Sequence, residues 1–342
     1  MHSLLKVLAT ASAIGLALPA HAETVRIAEL NWAASSAIAQ VIKLVIERYI
    51  GDTVEIVGGD EAPMYEAIAA GHGDVDATGD FWANLWPAIW SGRIAPGSDE
   101  SMKVNKNPYM GGEGIFVAGY TQDTHGITDI VQLKDPEIAK LFDTDGDGLG
   151  EYWTGAAGWQ SVDYNAVKAK SMGFADLWEP VVVEVPVLEG MIDAAFQRQE
   201  PILFYYYWPE WIFGAYDLRQ LKEPPFTGYS SETLKDSPLY NPDGCYNFIS
   251  QSEDQEWLEK SSITCAYPEI PVYVLYSATL AERAPKSAQL LDQVTFDREV
   301  VNGWIKAISH DGVEAAVVAE EWVNANETMI KEQWLVGIEL AH

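Results

Sequence analysis

The alternation of strand-like and helix-like segments in the first third of the chain most limits what this chain can fold into. Short apolar runs with strand character alternate with stretches of helical character: strands at residues 24–29, 53–57 and 74–78, and helices at residues 35–50, 63–70 and 82–91. Ser35 or Ser36 can N-cap the first helix, and Gly51 ends it. This β-α-β-α-β order predicts an α/β protein with a parallel, doubly wound sheet, in which ligands bind at the carboxyl ends of the strands.

The remaining segments indicate a second lobe, because a chain of 342 residues exceeds one compact core. Residues 111–120 have the pattern of a strand that leaves the first lobe, and residues 269–277 that of the strand that returns. We expect a discontinuous first lobe and an inserted second lobe. Their bounds are residues 23–117 with 271–342 for lobe 1, and residues 118–270 for lobe 2.

The first 22 residues have the pattern of a cleaved export signal. His2 and Lys6 make the start weakly basic, and residues 7–18 are apolar but too short to span a bilayer. Residues 20–22, Ala-His-Ala, fit a small-x-small cleavage site. We therefore expect cleavage after Ala22 and an exported, soluble mature chain.

Charge and cysteine content limit the partners. The chain carries 21 Lys and Arg against 51 Asp and Glu, a net charge of −30, which argues against nucleic acid and anionic membrane surfaces. This negative charge suits a protein that attracts cations or comes from a salty habitat.

Cys245 and Cys265 lie in a Pro- and Ser-rich region of an exported chain. We expect them to form a disulfide, which contributes roughly 3 kcal/mol.

Tryptophans gather where strands are predicted to end. Residues 201–214 read PILFYYYWPEWIFG, a buried strand that breaks at a proline and carries Trp208 and Trp211. Such aromatic faces suit a positive, apolar ligand head, at ~0.5–2 kcal/mol per ring; the alternative is a core strand that ends in an aromatic surface cluster. Other candidate ligand contacts are Trp32 after the first strand, Trp82 and Trp86 after the third, and Trp159 before a helix. Packing of the helix on the sheet is the alternative for Trp86.

Glu113 is a candidate polar contact in the segment GGEGIFVAGY, because flanking glycines let the backbone approach a ligand closely. A hinge residue and a simple turn are its other interpretations.

The segment DTDGDGLGEYW, residues 143–153, matches the start of a calcium-binding loop, in which alternate oxygens surround a hard cation. Thr154 replaces the usual glutamate at position 12, and Glu151 at position 9 is its possible substitute. We expect a structural calcium ion, against the alternative of a solvated acidic turn. The candidate ligands are Asp143, Asp145, Asp147, Leu149 and Glu151.

Signatures of catalysis are missing. The chain has no HExxH, G-x-S-x-G, Walker or dinucleotide-binding pattern, and nothing singles out a pair of carboxylates for hydrolysis. A binding protein is therefore expected rather than an enzyme. Carbohydrate binding through stacked tryptophans and a secreted hydrolase with structural calcium remain the alternatives from other classes.

Several segments together resemble the periplasmic substrate-binding proteins of ABC importers for glycine betaine and related compounds. They are ITDIVQLKDPEIAKLFDTDGDG followed by GW, the FYYYWPEW stretch, AELNWAASSAIAQVIKLVIE, IAAGHGDVD and ISHDG. The resemblance covers most of residues 24–312. It implies a two-lobed, type II-like binding-protein fold that closes on its ligand, and an ABC permease in the inner membrane as partner of a monomer.

The resemblance also implies a tryptophan box around a quaternary ammonium head, formed by Trp82, Trp159 and Trp208. The family's histidine, which holds a ligand carboxylate, falls near Trp86 here, and its GWGC turn reads GWQS. The spacing in WPEW is one residue shorter than in the family. These departures favour trimethylamine N-oxide as ligand, with glycine betaine next and dimethylsulfoniopropionate or choline as further options.

Overall fold

The computed structural model describes residues 23–235, 237, 239–251 and 253–341. The expected leader, residues 1–22, lies outside the described residues. Within them, no helix combines the length and the apolar character needed to cross a bilayer.

The strands form one long mixed sheet and a small hairpin. In chain order they are β1 Thr24–Glu29, β2 Thr53–Gly58, β3 Ala77–Trp82, β4 Met102–Val104, β5 Tyr109–Ala118, β6 Gly150–Gly155, β7 Trp178–Val182, β8 Leu203–Trp208, β9 Leu218–Gln220, β10 Tyr246–Asn247, β11 Ser262–Ile263 and β12 Ile270–Ser277. The main sheet runs β2-β1-β3-β12-β5-β8-β6-β7, with β4 beside β12 and β9 beside β5. The α/β fold class is thus confirmed, although β12 and β5 are antiparallel to their neighbours rather than part of an all-parallel sheet.

Helices connect and cover the strands. The α-helical segments are α1 Ala33–Val45, α2 Glu61–Ala70, α3 Pro87–Ile89, α4 Gly119–His125, α5 Pro136–Ala139, α6 Gln160–Met172, α7 Val185–Arg198, α8 Ile212–Ala215, α9 Trp257–Lys260, α10 Leu280–Arg283, α11 Pro285–Gln293, α12 Arg298–Ile305, α13 Ala315–Ala325 and α14 Glu327–Met329. Helices α1 and α12 each continue through a wider final turn, at Ile46–Ile50 and Lys306–His310.

Two local predictions are wrong. Trp32 rather than Ser35 or Ser36 precedes the first helix, because the Ser35 hydroxyl lies inside α1 and accepts the Leu30 N–H at 2.9 Å. The third strand spans Ala77–Trp82 rather than residues 74–78, since it is the later segment that pairs with β1 and β12. Trp82 is therefore the last residue of its strand.

Strands β5 and β12 join two regions of apolar packing. The first core combines residues before β5 with the C-terminal helices, and the second core lies between β5 and β12 in sequence. β5 pairs with β12 through Tyr109–Gly111 and with β8 from Gly112 onward, so one strand belongs to both regions. The residue bounds given above for the two lobes stay a prediction.

Candidate functional site

In the first core, a buried carboxylate links two of the candidate tryptophans. Asp80 lies on β3 and is fully buried. Its Oδ2 accepts the Trp32 Nε1–H, and the Trp82 side chain also donates to the carboxyl group. Its Oδ1 accepts the Tyr109 hydroxyl at 2.6 Å, which reaches it from the start of β5. The structure thus brings Trp32 and Trp82 together at the carboxyl end of β3.

Trp86 has a separate partner. Its Nε1–H donates to Glu61 of α2 at 3.0 Å, and its ring meets Tyr65 edge-on at 5.2 Å between centroids. The Tyr65 hydroxyl lies 3.1 Å from the same carboxylate oxygen. Trp86 therefore packs on α2, next to the Asp80 group but not hydrogen-bonded to Asp80.

Glu113 lies in the middle of strand β5, so the turn interpretation is wrong, while a hinge role stays a prediction. It pairs with Tyr207 across the β5–β8 ladder. Because strand residues alternate between the two faces, the Cβ atoms of Glu113, Tyr205 and Tyr207 lie on one face of the sheet. The Tyr207 ring turns from there to stack on the Tyr206 ring, at 4.9 Å between centroids. Tyr205 makes a side-chain hydrogen bond with the Glu113 carboxyl group.

Burial shifts Glu113 toward its protonated form. Burial, the largest effect, raises the pKa of Glu113, while the Tyr205 hydrogen bond and the charge of Lys168 lower it. The charge of Glu113 in turn raises the pKa of several phenols around it. These phenols belong to Tyr164, Tyr205, Tyr229, Tyr246 and Tyr267.

Lys168 is paired with a carboxylate other than Glu113. It forms a buried ion pair with Glu223, the two side chains being 0% and 1% exposed. Its Nζ also lies 3.7 Å from the centroid of the Tyr267 ring. Because Glu223 holds the ammonium group, Lys168 only partly offsets the charge of Glu113.

Trp159 lies on the same side as Glu113. It precedes α6 and is half-buried. Its ring centroid lies 5.9 Å from Tyr207 and 5.8 Å from Trp153. Trp159 and Tyr207 therefore form a pair of ring contacts on the second core, and Tyr207 is the residue that pairs with Glu113 along the strands.

Trp208 faces the other way. It alternates with Tyr207 along β8, and its ring covers Gly112, where an added Cβ would lie 2.6 Å from the indole. Its ring neighbours include Phe116 and Phe213, and the Arg298 guanidinium lies 5.1 Å from the ring centroid. Its buried Nε1–H has no partner among the described residues.

Trp82 covers the neighbouring glycine. A Cβ at Gly111 would lie 2.5 Å from the Trp82 ring. Trp82 and Trp208 thus lie against consecutive residues of β5, from opposite faces.

Trp211 connects the two cores. Its ring stacks on His310 at 4.5 Å between centroids, and its Nε1–H donates to Glu189 at 2.8 Å. The main chain makes a second link nearby, where Glu210 N donates to Asn302 of α12 at 3.0 Å.

The acidic loop brings together two overlapping carboxylate groups. Oxygens of Asp143, Asp145 and Glu151 lie within 4.8 Å of one another, as do those of Asp145, Asp147 and Glu179. These hard oxygen donors and spacings fit a calcium ion, whose ligands lie 2.3–2.6 Å from the metal. Leu149 lies in the same loop, with its N–H donating to Asp147 at 2.8 Å. Calcium binding itself stays a prediction.

The predicted disulfide is confirmed. Cys245 and Cys265 are bonded, with their Cα atoms 5.9 Å apart. The bond closes a loop of the second core, close to the rings of Tyr246 and Tyr267.

Sequence reasoning missed four residues of these groups. Tyr205 and Tyr207 were detectable, because a period of two along FYYYW separates them from Tyr206 and Trp208. Asp80 and Glu179 had no such signal, since their partners come from distant parts of the chain.

Known proteins resemble this chain in sequence and in fold. The family model described as the substrate binding domain of ABC-type glycine betaine transport systems matches residues 23–325. A glycine betaine/proline betaine-binding periplasmic protein of Salmonella typhimurium is 26% identical over 262 residues, which cover 71% of this chain and 74% of that protein. Its Escherichia coli counterpart is 24% identical over 269 residues, with the same coverage.

Solved structures share the fold at low identity. Lactococcal OpuAC in complex with glycine betaine has a TM-score of 0.52 at 15% identity, covering 91% of this chain and 99% of that one. The glycine betaine, L-proline-binding protein ProX of Borrelia burgdorferi has a TM-score of 0.51 at 19% identity, covering 92% and 97%.

The family model spans most of the chain, and its members are transport components rather than enzymes. The expected absence of catalysis and the expected classes of partner, a small ligand and a membrane permease, agree with that membership. The chain belongs to the family of substrate-binding domains of ABC-type glycine betaine transport systems.

Proposed function

We propose that this protein is the periplasmic solute-binding component of an ABC importer and that it captures trimethylamine N-oxide. The observation that carries the proposal is the half-buried Glu113 carboxyl group, with its raised pKa, beside Trp159 and Tyr207. Aromatic faces attract a trimethylated nitrogen. A protonated carboxyl group donates a hydrogen bond to an N–O oxygen.

The same group argues against a ligand that carries a carboxylate. A glycine betaine carboxylate next to Glu113 would place two acids together and require extra protonation. Lys168 is the basic group that acts on Glu113, and it is already paired with Glu223. The polar end of the site therefore suits a small neutral acceptor better than an anion.

Glycine betaine is the second candidate. Both curated relatives described above are named for glycine betaine and proline betaine, at 24–26% identity. A betaine could bind with its carboxylate turned away from Glu113, toward the N–H groups at the start of α6, which carry the partial positive charge of a helix N-terminus. Choline would use Glu113 as an ionised partner of its cation.

The test is isothermal titration of the mature protein with trimethylamine N-oxide, glycine betaine and choline at one salt concentration. We expect the N-oxide to bind at least tenfold more tightly than glycine betaine. In Glu113→Gln the amide still donates a hydrogen bond, so N-oxide affinity should stay within about threefold while choline affinity falls by tenfold or more. Glu137→Gln changes an exposed acid and serves as control. Tighter binding of glycine betaine than of the N-oxide would contradict the proposal.

We also propose that the acidic loop binds calcium as a structural ion through Asp143, Asp145, Asp147, Leu149 and Glu151, with Glu179 added from β7. The ion would offset acidic charge between the α5 region and β7. We further propose that the export signal is cleaved after Ala22 and that the mature protein is a monomer.

A further inference from the structure

Asp80 differs from the other buried acid near β3. Asp76, just before β3, is also fully buried, but Arg283 pairs with its carboxylate. Asp80 instead receives bonds from neutral donors, and in the described part of the chain no basic group is among those that perturb its titration. Glu61 adds a repulsive negative charge nearby.

This arrangement is costly for stability alone. Burying a carboxylate without a cationic partner is unfavourable, and hydrogen bonds from neutral donors offset only part of that cost. Burial, the largest effect, raises the pKa of Asp80, while the hydrogen bonds from Trp32, Tyr109 and Trp82 lower it and stabilise the ionised carboxylate. A stability role would be met more cheaply by an ion pair such as Asp76 and Arg283.

The donors to Asp80 point to a role in the site. Trp32 and Trp82 are rings that the sequence assigns to the ligand, and Tyr109 begins the strand that carries Glu113. Each indole donates its N–H in the ring plane, which holds the ring orientation. Donation to an anion also makes the ring face more negative, and a negative face attracts a cation more strongly.

We propose that Asp80 is a positioning and selectivity residue, which orients Trp32 and Trp82 and whose charge makes this half of the site prefer a cationic head over a neutral head of the same shape. The inference rests on the proposed function, in that a trimethylated head occupies the site. It adds a second carboxylate to the one at Glu113, on the opposite core.

The test compares choline with 3,3-dimethylbutan-1-ol, its neutral isostere, by titration calorimetry or competition. In Asp80→Asn we expect choline affinity to fall by tenfold or more and the affinity for the neutral alcohol to change by less than threefold. Equal losses for both probes would show that the charge of Asp80 does not select for a cation and would overturn the selectivity role. Unchanged choline affinity would overturn it as well.

Two further variants control for folding. Asp76→Asn removes a buried carboxylate from its Arg283 partner, so we expect a lower Tm with the ratio of choline to alcohol affinity unchanged. Trp32→Phe keeps a half-buried ring and removes one donor, so we expect a partial loss of that ratio even if Asp80→Asn does not fold. An unchanged ratio in Trp32→Phe would count against the proposal.

A ligand-free measurement separates this inference from the proposed function. In NMR spectra of the mature protein, the Nε1–H signals of Trp32 and Trp82 should shift in Asp80→Asn, while that of Trp86, bonded to Glu61, should stay in place. If the wild type binds no trimethylated probe, the proposed function fails, and these signals still decide whether Asp80 positions the rings. Unmoved Trp32 and Trp82 signals would overturn the positioning role.

Discussion

At the scale of single residues, the proposal depends on where one proton is. Glu113 is surrounded by phenols and by the Lys168 ammonium group, and burial raises its pKa. An N-oxide oxygen accepts a hydrogen bond from the protonated acid, whereas a quaternary cation is attracted to the ionised one. The two ligand classes therefore stabilise opposite protonation states of the same carboxyl group.

This difference predicts opposite pH dependences. Because N-oxide binding favours protonated Glu113, the complex holds more protons than the free protein, and affinity should rise as pH falls from neutrality toward the raised pKa of Glu113. Choline binding favours the ionised form, so its affinity should fall over the same range. Calorimetry in buffers of different ionisation enthalpy should show proton uptake for the first ligand and release for the second.

The control is Glu113→Gln, which cannot titrate. The titratable groups around Glu113 are Lys168 and the phenols of Tyr164, Tyr205, Tyr207, Tyr229, Tyr246 and Tyr267. Phenols with raised pKa stay protonated throughout this range. If N-oxide affinity rises as pH falls in the wild type and rises equally in Glu113→Gln, the assignment of the proton to Glu113 would be contradicted.

At the scale of elements, the alternation of residues along β8 decides which of its side chains lies beside the strand that carries Glu113. The resemblance to betaine-binding proteins assigns a ring to Trp208, whereas the β5–β8 register places Tyr207 on the face of Glu113 and Trp159. Trp208 packs on the other face, among Phe116, Phe213 and Arg298.

We therefore predict different outcomes for substitutions at neighbouring positions of β8. Tyr207→Leu should lower trimethylammonium affinity about tenfold, consistent with ~0.5–2 kcal/mol for a lost cation–π contact, with little change in Tm. Trp208→Phe should lower Tm, because the smaller phenyl ring leaves part of the buried volume of the indole unfilled. It should change affinity less than threefold. Titration and thermal melts of both variants measure this. The reverse pattern would support the ligand contact that the family resemblance assigns to Trp208.

The acidic loop between α5 and β6 gives a second prediction at this scale. Millimolar calcium should raise the Tm of chelator-treated protein by several degrees, since saturation at one hundred times the Kd contributes about 2.7 kcal/mol. Asp145→Asn should abolish this shift, because Asp145 belongs to both carboxylate groups. Asp243→Asn removes an equal charge from another loop and should preserve it. A shift that survives in Asp145→Asn would contradict the site.

Elements also show what the sequence could and could not predict. Strands β1, β2 and β12 agree with their predicted bounds within one residue, because apolar runs with clear turn signals define them. The predicted third strand begins three residues before β3 and ends four residues before its end. The reason is that pairing with β12 extends β3 into GDFW, a segment without strand character.

The candidate site could also be predicted only in part from the sequence. Trp32, Trp82 and Trp159 could be singled out because rings at strand ends have a local signature. Their groupings could not, because the bonds to Asp80 join segments up to 48 residues apart. The isolation of Trp208 from Trp159 follows from strand alternation, which the family resemblance does not consider.

At the scale of the whole molecule, net charge affects capture. A formal charge of −30 produces a field that attracts cations and is screened over about 8 Å at physiological ionic strength. The association rate of choline should therefore fall several-fold when salt rises from about 0.02 M to about 0.5 M. That of neutral trimethylamine N-oxide should change less than twofold. Stopped-flow tryptophan fluorescence measures both rates, and equal salt dependence would contradict this role of the charge.

Gly111 and Gly112 of β5 lie where that strand passes from the first core to the second, with the Trp82 ring on one side and the Trp208 ring on the other. The two indoles occupy the space that side chains at these glycines would fill, so the backbone at the junction lies between them. One of these rings is a candidate ligand contact, and the other is anchored beneath Arg298 of α12. If the two halves turn about β5, a ligand in contact with Trp82 would also press on that strand, and ligand binding would be coupled to the angle between the halves.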